Sequence, residues 1–332
     1  MQSWASPHGR PLPPVGQRTL VMGVLNVTPD SFSDGGQLPT REAVVARARE
    51  MMASGADVLD IGGESTRPGA AWVSADDELA RVLPAITAVR QALPDVPLSI
   101  DTYKAEVAEA AVAAGADIIN DVWGLAFGLS AEERARWREP ARDVAGVVDP
   151  GRLWERLPAH RPGSPSPATN AASPLRVSPM ALAAARTKAP VILMHNRLDR
   201  NYRDFWGDML LDLQMSLALA CAAGIPPHQL WLDPGFGFAK TPAHNLEVLR
   251  ELRRIVALGF PVLVGTSRKS TLGLVLGTGV DDRCEAGGAT IVWAIQQGCA
   301  MVRVHDVRES VRFARTADAI KAGLNFSPPD HG

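Results

Sequence analysis

The chain is 332 residues long and 46% hydrophobic, which is enough to bury one large core or two modest ones. Its 34 Lys and Arg residues nearly balance its 36 Asp and Glu residues, giving a formal net charge of -2 at pH 7. No block of like charge is long enough to form a polyanion-binding tail, so nucleic acid and anionic membrane surfaces are not expected partners.

The sequence predicts a cytoplasmic protein. Residues 1–18 contain Pro11, Pro13 and Pro14 where a signal peptide would need an apolar run, and no later segment offers about 18 uninterrupted apolar residues. The cysteines form neither a CxxC motif nor an even disulfide framework, which points weakly to a reducing compartment. We therefore expect a protein that neither spans nor crosses a membrane.

Eight short apolar runs follow one another along the chain, at 20–25, 58–61, 96–100, 118–121, 191–194, 230–233, 262–264 and 301–304. Ala-, Leu- and Arg-rich helical stretches such as 41–53 and 283–297 separate most of them, and several end near a glycine suited to a helix C-cap. This alternation predicts a (β/α)8 barrel, a TIM barrel. A doubly wound open sheet is the alternative, but no G-x-G-x-x-G motif opens a helix after a strand.

One segment breaks this alternation. Residues 125–175 follow the fourth strand, contain seven prolines, and show helical patterns only around 131–138 and 152–157. We interpret the segment as an insertion in a single barrel domain covering 19–332, preceded by an N-terminal arm at 1–18. A loop of this length is either functional or disordered, so a mobile loop is the default interpretation and a lid over the site is the alternative.

Polar residues stand at the carboxyl ends of the strands, which converge on one mouth in such a barrel. The longest stretch, NVTPDSFSDGG at 26–36, directly follows the first strand and offers little that a core could use. Taken alone it would be a surface turn, but the arrangement recurs at 62–69, 101–102, 120–121, 195–196, 233–238, 267–270 and 303–306. The sequence therefore predicts a functional site at this mouth.

Two chemical classes separate among these polar residues. Short acceptor side chains suit a flat heterocycle rich in N–H donors, and here they are Asp101, Asn120 and Asp233. Donor side chains suit an anion, because Arg offers a bidentate fork and His an adjustable charge. The anion set is Asn26, Arg67, Arg303 and His305.

Seven motifs in this order resemble those of the dihydropteroate synthase family, over about 20–320. They are NVTPDSFSDGG, GGESTRPG, SIDT, LMH, LDPGFGF, GTSRKS and RVHDV. The resemblance implies a sulfonamide-inhibited enzyme of folate biosynthesis that joins the amine of p-aminobenzoate to the exocyclic carbon of 6-hydroxymethyl-7,8-dihydropterin pyrophosphate. It also implies Mg2+ as cofactor and a homodimer formed through the late helices, around 283–297 and 307–320.

The resemblance assigns roles to individual positions of this chain. The pterin-binding positions are Asp101, Asn120, Met194, Asp233, Phe238, Gly265 and Lys269. The p-aminobenzoate positions are Phe32, Thr66, Pro68, Arg268 and Ser270. The pyrophosphate positions are Asn26, Arg67, Arg303 and His305, with Asn26 also at the metal. The positions assigned as catalytic are Asp34, Arg67, Asp101 and Lys269, and no nucleophilic residue is expected.

Other interpretations stay open. A pterin-binding methyltransferase domain shares the barrel but would lack the 32–36 loop and the aryl-amine site at 267–270, and a non-catalytic pterin-binding paralogue is a second alternative. His195 is interpreted as structural, whereas Lys240 fits either a supporting contact or an exposed position. Residues 196–200, Asn-Arg-Leu-Asp-Arg, depart from the family pattern, which continues with an apolar or glycine-containing stretch.

Overall fold

The computed structural model of the chain describes residues 4–28, 40–65, 70–142 and 175–325. Eight strands form one parallel sheet in the order β6-β5-β4-β3-β2-β1-β8-β7. The strands are β1 (Leu20–Asn26), β2 (Val58–Gly62), β3 (Leu98–Asp101), β4 (Ile118–Asp121), β5 (Val191–Met194), β6 (Leu230–Asp233), β7 (Leu263–Val264) and β8 (Met301–Val304). A parallel bridge between Leu232 and Val262 joins the two ends of this order. The sheet therefore closes into the predicted barrel.

Helices connect the strands. They are α1 (Arg41–Ala53), α2 (Ala75–Ala92), α3 (Ala105–Ala113), α4 (Ala131–Arg142), α5 (Pro179–Thr187), α6 (Phe205–Ala223), α7 (Pro242–Arg250), α8 (Arg253–Val256), α9 (Ser270–Leu276), α10 (Cys284–Gln296) and α11 (Val307–Ala322). Hydroxyl side chains of Thr40, Ser74 and Ser178 accept a backbone N–H in the first turn of α1, α2 and α5. These caps explain why helices begin where the sequence places a Ser or Thr.

The barrel interior is built in layers. An apolar layer at the amino ends of the strands comprises Leu20, Met22, Val58, Ile118, Ile192, Trp231, Leu263 and Met301. Side chains alternate between the two faces of a strand, so the residue two positions further on points to the same side. Two positions beyond six of these apolar residues stand Asp60, Asn120, Met194, Asp233, Gly265 and Arg303. On each of these strands, one inward-facing residue therefore belongs to the apolar core and the next inward-facing residue belongs to the predicted site or contacts it.

The N-terminal arm covers the amino end of the barrel. Trp4 is 6% exposed and its ring lies 4.7 Å from that of Trp231, inside the apolar layer. Asp117 holds the arm from outside, accepting hydrogen bonds from Ser6 Oγ at 2.6 Å and Arg10 Nε at 2.9 Å. The arm, which the sequence leaves without a role, is packed onto the barrel from residue 4.

The first part of the predicted insertion is packed structure. Trp137 of α4 is 3% exposed and its indole N–H donates to the Arg176 carbonyl at 3.0 Å, while α4 itself packs against α6. The rest, 143–174, lies outside the described residues, so the insertion and its possible role as a lid stay predictions. In the part of the chain that the structure describes, no helix is long and apolar enough to cross a bilayer.

Candidate active site

A cavity of about 320 Å3 lies at the carboxyl ends of the strands. Twelve residues predicted for the site line it, namely Asn26, Asp101, Asn120, Met194, Asp233, Phe238, Gly265, Arg268, Lys269, Ser270, Arg303 and His305. The other five, Phe32, Asp34, Thr66, Arg67 and Pro68, lie outside the described residues, and their roles stay predictions. Strand ends far apart in sequence therefore contribute to one cavity, as the barrel topology requires.

Arg303 ties two carboxylates together at the base of the cavity. Its Nε donates to Asp60 at 2.6 Å, and its Nη2 donates to Asp101 at 2.6 Å. Asn120 Nδ2 donates to the same Asp60 oxygen at 3.1 Å. Burial opposes the Arg303 charge, but Asp60 and Asp101 outweigh it and raise the pKa of the guanidinium. The sequence predicts Arg303 for an anion site, and the structure adds that it holds two buried acids of the cavity in place.

Asp60 supports the site from behind the cavity, and the sequence motifs do not single it out. It is a fully buried carboxylate in the middle of an apolar strand, and it faces the residues predicted to bind the ligand. A charge inside a Val-Leu-Asp-Ile run is itself a signal, because buried carboxylates need a partner. Its partner stands 243 residues further along the chain, which the strand motif alone does not reveal.

Asp101 keeps an acceptor for a ligand. Its Oδ1 is buried and has no hydrogen-bond partner among the described residues, although Oδ2 is held by Arg303. Burial raises the pKa of Asp101 to about 7, with Arg303 opposing the shift and Asp60 adding to it. A buried acceptor of this kind is stabilised by an N–H donor, which a nitrogen heterocycle in the cavity would supply.

Asp233 both shapes a turn and faces the cavity. Its Oδ1 accepts the backbone N–H of Gly235 at 2.7 Å, and burial raises its pKa to about 6. Gly235 has a φ of 65°, and a Cβ there would lie 2.0 Å from the carbonyl oxygen of His195. Only glycine fits at this position, so the motif LDPGFGF encodes a close approach as well as a binding carboxylate.

Apolar side chains and the Lys269 ammonium form part of the cavity wall. Met194 packs with Tyr103 and Val122, and Phe238 packs against this cluster. The Lys269 ammonium lies 4.3 Å from the centroid of the Phe238 ring. This arrangement suits a flat, polarised ring. The apolar walls would bury the faces of the ring, while the acids and the lysine would form hydrogen bonds with its edge.

The outer rim of the cavity carries further donors. Arg268 has a φ of 59° and forms a two-point ion pair with Asp306, with Nη2 to Oδ1 at 2.5 Å. His305 Nδ1 lies 3.1 Å from Ser267 Oγ. Ser270, which begins α9, lines the cavity together with Ser267, Arg268 and His305. Arg268 and Ser270, predicted for p-aminobenzoate, therefore line the same cavity as His305, predicted for pyrophosphate.

Comparison with known proteins identifies the family. Residues 22–141 and 170–305 match the family described as pterin binding enzyme. The dihydropteroate synthase of Bacillus subtilis is 43% identical over 316 residues, covering 95% of this chain and 92% of the relative. That of Clostridium beijerinckii is 41% identical, covering 92% of this chain and 96% of the relative. The chain belongs to the dihydropteroate synthase family.

Solved structures of this family superpose on the chain. The Clostridium difficile dihydropteroate synthase, determined in the presence of pteroic acid, has a TM-score of 0.75 and 38% identity, with coverage of 93% of this chain and 99% of that one. The Xanthomonas albilineans enzyme, determined with 4-aminobenzoic acid, has a TM-score of 0.73 and 37% identity, with coverage of 92% and 94%. The stretch 142–169, which the family match skips, falls within the predicted insertion.

A buried ion cluster that the sequence motifs do not reveal lies after β2. Lys104 Nζ lies 2.5 Å from a carboxylate oxygen of Glu64 and 2.5 Å from one of Glu78. The other Glu64 oxygen accepts the backbone N–H of Val73 at 3.1 Å. Glu64 and Val73 flank residues 66–69 in the sequence, so this cluster fixes the described chain on both sides of them.

Proposed function

We propose that the chain catalyses the dihydropteroate synthase reaction. The amine of p-aminobenzoate would displace pyrophosphate from the exocyclic carbon of 6-hydroxymethyl-7,8-dihydropterin pyrophosphate, giving 7,8-dihydropteroate. The observation that carries the proposal is the meeting of Asp101, Asn120, Asp233 and Lys269 around one cavity in a chain 43% identical to a named dihydropteroate synthase.

Pterin recognition rests on matched donors and acceptors. Asp101 and Asp233 accept from N–H groups of the ring, Lys269 donates to its carbonyl, and Asn120 reads an edge position. Met194 and Phe238 enclose the faces of the ring. A fused heterocycle whose edge alternates donors and acceptors satisfies these buried groups better than water in a narrow cavity can.

Bond cleavage precedes or accompanies attack by the amine in this proposal. The dihydropterin is electron-rich and delocalises positive charge that develops at the exocyclic carbon, and Asp101 and Asp233 lie where their negative charge stabilises that cation. A neutral aryl amine needs little activation, so neither a nucleophilic residue nor a strong general base is required. The assignment of Asp34 and Arg67 as further catalytic residues belongs to the same proposal.

Two further sets of residues are proposed for the second substrate and the leaving group. Arg268 and Ser270, with Phe32, Thr66 and Pro68, are proposed for p-aminobenzoate. Asn26, Arg67, Arg303 and His305 are proposed for pyrophosphate. Arg268 and Arg303 are already paired with carboxylates, which hold the guanidinium groups and their remaining N–H donors in fixed positions. Preformed positions lower the entropy lost when two substrates are brought together.

Mg2+ is proposed as the cofactor, with Asn26 as its protein ligand. Asn26 brings an amide oxygen to the cavity, and the described residues contain no group of three or more His, Cys, Asp or Glu that could hold a metal. One neutral oxygen fits Mg2+ that arrives with substrate phosphates and keeps most of its waters. When bound, the ion supplies positive charge for the departing pyrophosphate.

The test is a product assay with the purified protein, Mg2+ and the pterin pyrophosphate, in the presence and absence of p-aminobenzoate. We expect 7,8-dihydropteroate and pyrophosphate to form in equal amounts only when the amine is present. Pterin binding without product would identify a non-catalytic paralogue. Methyl transfer to or from a pterin would identify the methyltransferase alternative, and either outcome would reject the proposal.

Lys269→Ala provides a residue-level test. Loss of a charged donor to the ring carbonyl is expected to raise KM for the pterin substrate about tenfold or more, since a hydrogen bond to a charged group contributes roughly 1.5–3 kcal/mol. Steady-state kinetics with each substrate varied in turn would measure the change. Lys321→Ala, at an exposed position near the end of α11, is the control and should leave both KM values unchanged.

The proposal includes a homodimer formed through the late helices. Two large apolar side chains are exposed on these helices, Trp293 of α10 and Ile320 of α11, and Leu274, Val275 and Leu276 of α9, which contacts α10, are exposed as well. An exposed apolar surface of this kind is typical of an interface. Light scattering at micromolar concentration should give the mass of two chains, and Ile320→Asp should shift it toward one. A wild-type mass of one chain would reject the dimer.

A cytoplasmic location is also part of the proposal. Cys221, Cys284 and Cys299 are all free thiols, and two of them are buried. Unpaired cysteines fit a reducing compartment. Fractionation of cells that express the protein would check the location.

A further inference from the structure

A network of hydrogen-bonded, buried polar side chains lies behind the pterin pocket and is not part of its lining. It begins at Asp212 of α6, passes through His195 after β5 and ends at Lys240 after β6. The three side chains are 2–5% exposed. The sequence predicts a structural role for His195, which its burial supports, and either a supporting or an exposed role for Lys240. Lys240 is buried.

Within the described part of the chain, Lys240 contacts three acceptors and forms no ion pair with a carboxylate. Its Nζ lies 2.9 Å from His195 Nδ1, 3.1 Å from the carbonyl oxygen of Gly235 and 3.1 Å from that of Phe238. An ammonium has three N–H donors, so each donor has one partner. Three acceptors favour the protonated amine, although burial lowers the pKa of Lys240 to about 7.

The partners of Lys240 fix the state of His195. Because Nδ1 accepts from Lys240, the ring proton sits on Nε2 and is donated to Asp212 at 3.3 Å. Burial lowers the pKa of His195 to about 4, which keeps the ring neutral. Asp212 is itself held by Arg197 Nε at 2.8 Å and by Arg138 of α4. None of these three side chains, Asp212, His195 and Lys240, can rotate without breaking a buried hydrogen bond.

Both carbonyls bound by Lys240 belong to the turn that shapes the pterin pocket. Asp233 starts this turn and Phe238 ends it, and the two side chains line the cavity on either side of Gly235. We propose that Lys240 is a positioning residue for pterin binding, because its ammonium clamps the 235–238 turn to His195 and so orients the Asp233 carboxylate and the Phe238 ring. The inference rests on the proposed function and deepens it.

The first test is Lys240→Met, which removes three donors and keeps a side chain of similar length. We expect the Kd for 6-hydroxymethyl-7,8-dihydropterin pyrophosphate, measured by equilibrium binding, to rise about tenfold or more, while KM for p-aminobenzoate changes less than about twofold. Lys321→Met is the exposed control and should bind like the wild type. Wild-type affinity in Lys240→Met, or equal losses for both substrates, would overturn the inference.

If Lys240→Met does not fold, two variants of His195 test the same inference. His195→Asn keeps a side-chain oxygen near the Nδ1 position to accept from Lys240, whereas His195→Leu removes both hydrogen bonds. We expect the pterin Kd of His195→Asn to lie within about threefold of wild type and that of His195→Leu to rise about tenfold. Equal losses in the two variants would overturn the inference. A wild-type protein that binds no pterin would instead reject the proposed function.

Discussion

Asp233 holds a charge where its surroundings disfavour it. The residue is 5% exposed, and burial raises its pKa to about 6 in spite of a backbone donor and the nearby charges of Lys269 and Arg303. In the unfolded chain the same carboxyl would titrate near 3.8. Keeping the charge therefore lowers the stability of the ligand-free fold, a cost that binding sites commonly carry.

Asp233→Asn should separate stability from binding. We expect the variant to bind pterin at least about tenfold more weakly, yet to unfold with a free energy higher by about 1–3 kcal/mol above pH 7. The folded-state pKa lies above the unfolded value, so the charge destabilises the fold at high pH and this effect is lost as pH falls from 7 through 6 toward 4. Urea unfolding across this range measures the difference.

A stability difference that does not shrink with falling pH would contradict this account of Asp233. Lower stability of the variant at pH 8 would contradict it as well. In the second case, the stabilisation lost with the contacts of the Asp233 carboxylate, including the hydrogen bond from Gly235, would exceed the stabilisation gained by removing a buried charge.

At the scale of elements, the turn before α9 depends on a distant arginine. Arg283 Nη1 donates to the carbonyl oxygen of Arg268 at 3.0 Å, and Arg268 has a left-handed backbone with φ of 59°. A strained position of this kind persists only where its surroundings hold it. Gly273 of α9 leaves the necessary space, because a Cβ there would lie 2.4 Å from Arg283 Nη2.

Gly273→Ala is expected to displace the Arg283 guanidinium and loosen the turn. Alanine is the better helix former by about 0.5–1 kcal/mol, so the fold should not weaken, and the melting temperature should stay within about 2 °C. KM for p-aminobenzoate should rise about three- to tenfold, since Arg268 and Ser270 flank the affected turn. Steady-state kinetics and thermal melting measure the two effects.

Gly287→Ala is the matched control for this prediction. Gly287 lies in α10, and a Cβ there would meet nothing within 4 Å. The control should gain stability without any change in KM. An unchanged KM for p-aminobenzoate in Gly273→Ala would show that Arg283 does not support the site.

At the scale of the whole molecule, the two ends of the barrel have different tasks. The carboxyl end gathers charged side chains around the cavity, and the amino end is closed by apolar packing of the arm. Trp4 completes this layer through Trp231, and its indole N–H donates to the Pro13 carbonyl at 2.8 Å. Because the apolar layer separates the two ends, stability and binding should respond independently to changes there.

Trp4→Ala should destabilise the barrel without affecting its activity. Truncation of a buried tryptophan is expected to lower the free energy of unfolding by about 3–5 kcal/mol, as the cavity it leaves cannot fully collapse. Both KM values should stay within about twofold of wild type. Chemical unfolding measures the free energy of unfolding, and steady-state kinetics measures the KM values. Leu324→Ala, at a fully exposed position, is the control. Loss of pterin affinity in Trp4→Ala would show coupling between the ends.

Local patterns were enough for the fold and most of the site. The strand runs were located within a few residues, and α1 begins and ends where its helical pattern does. The third strand begins at Leu98, two residues later than predicted, since Pro97 lacks the N–H that a strand needs. Twelve of the predicted site residues line one cavity, because residues at strand ends meet at the same mouth whatever their separation in sequence.

The sequence by itself determined the barrel, the family and which residues would line the cavity, since each depends on short motifs and on a period of two or of 3.6 residues. Only the tertiary structure decided which groups hold these residues in place. Asp60 with Arg303, Lys104 with Glu78, and Lys240 with His195 are partners brought together by closure of the barrel and packing of its loops. Their spacing follows no local period, so contact between them is visible only once the chain is folded.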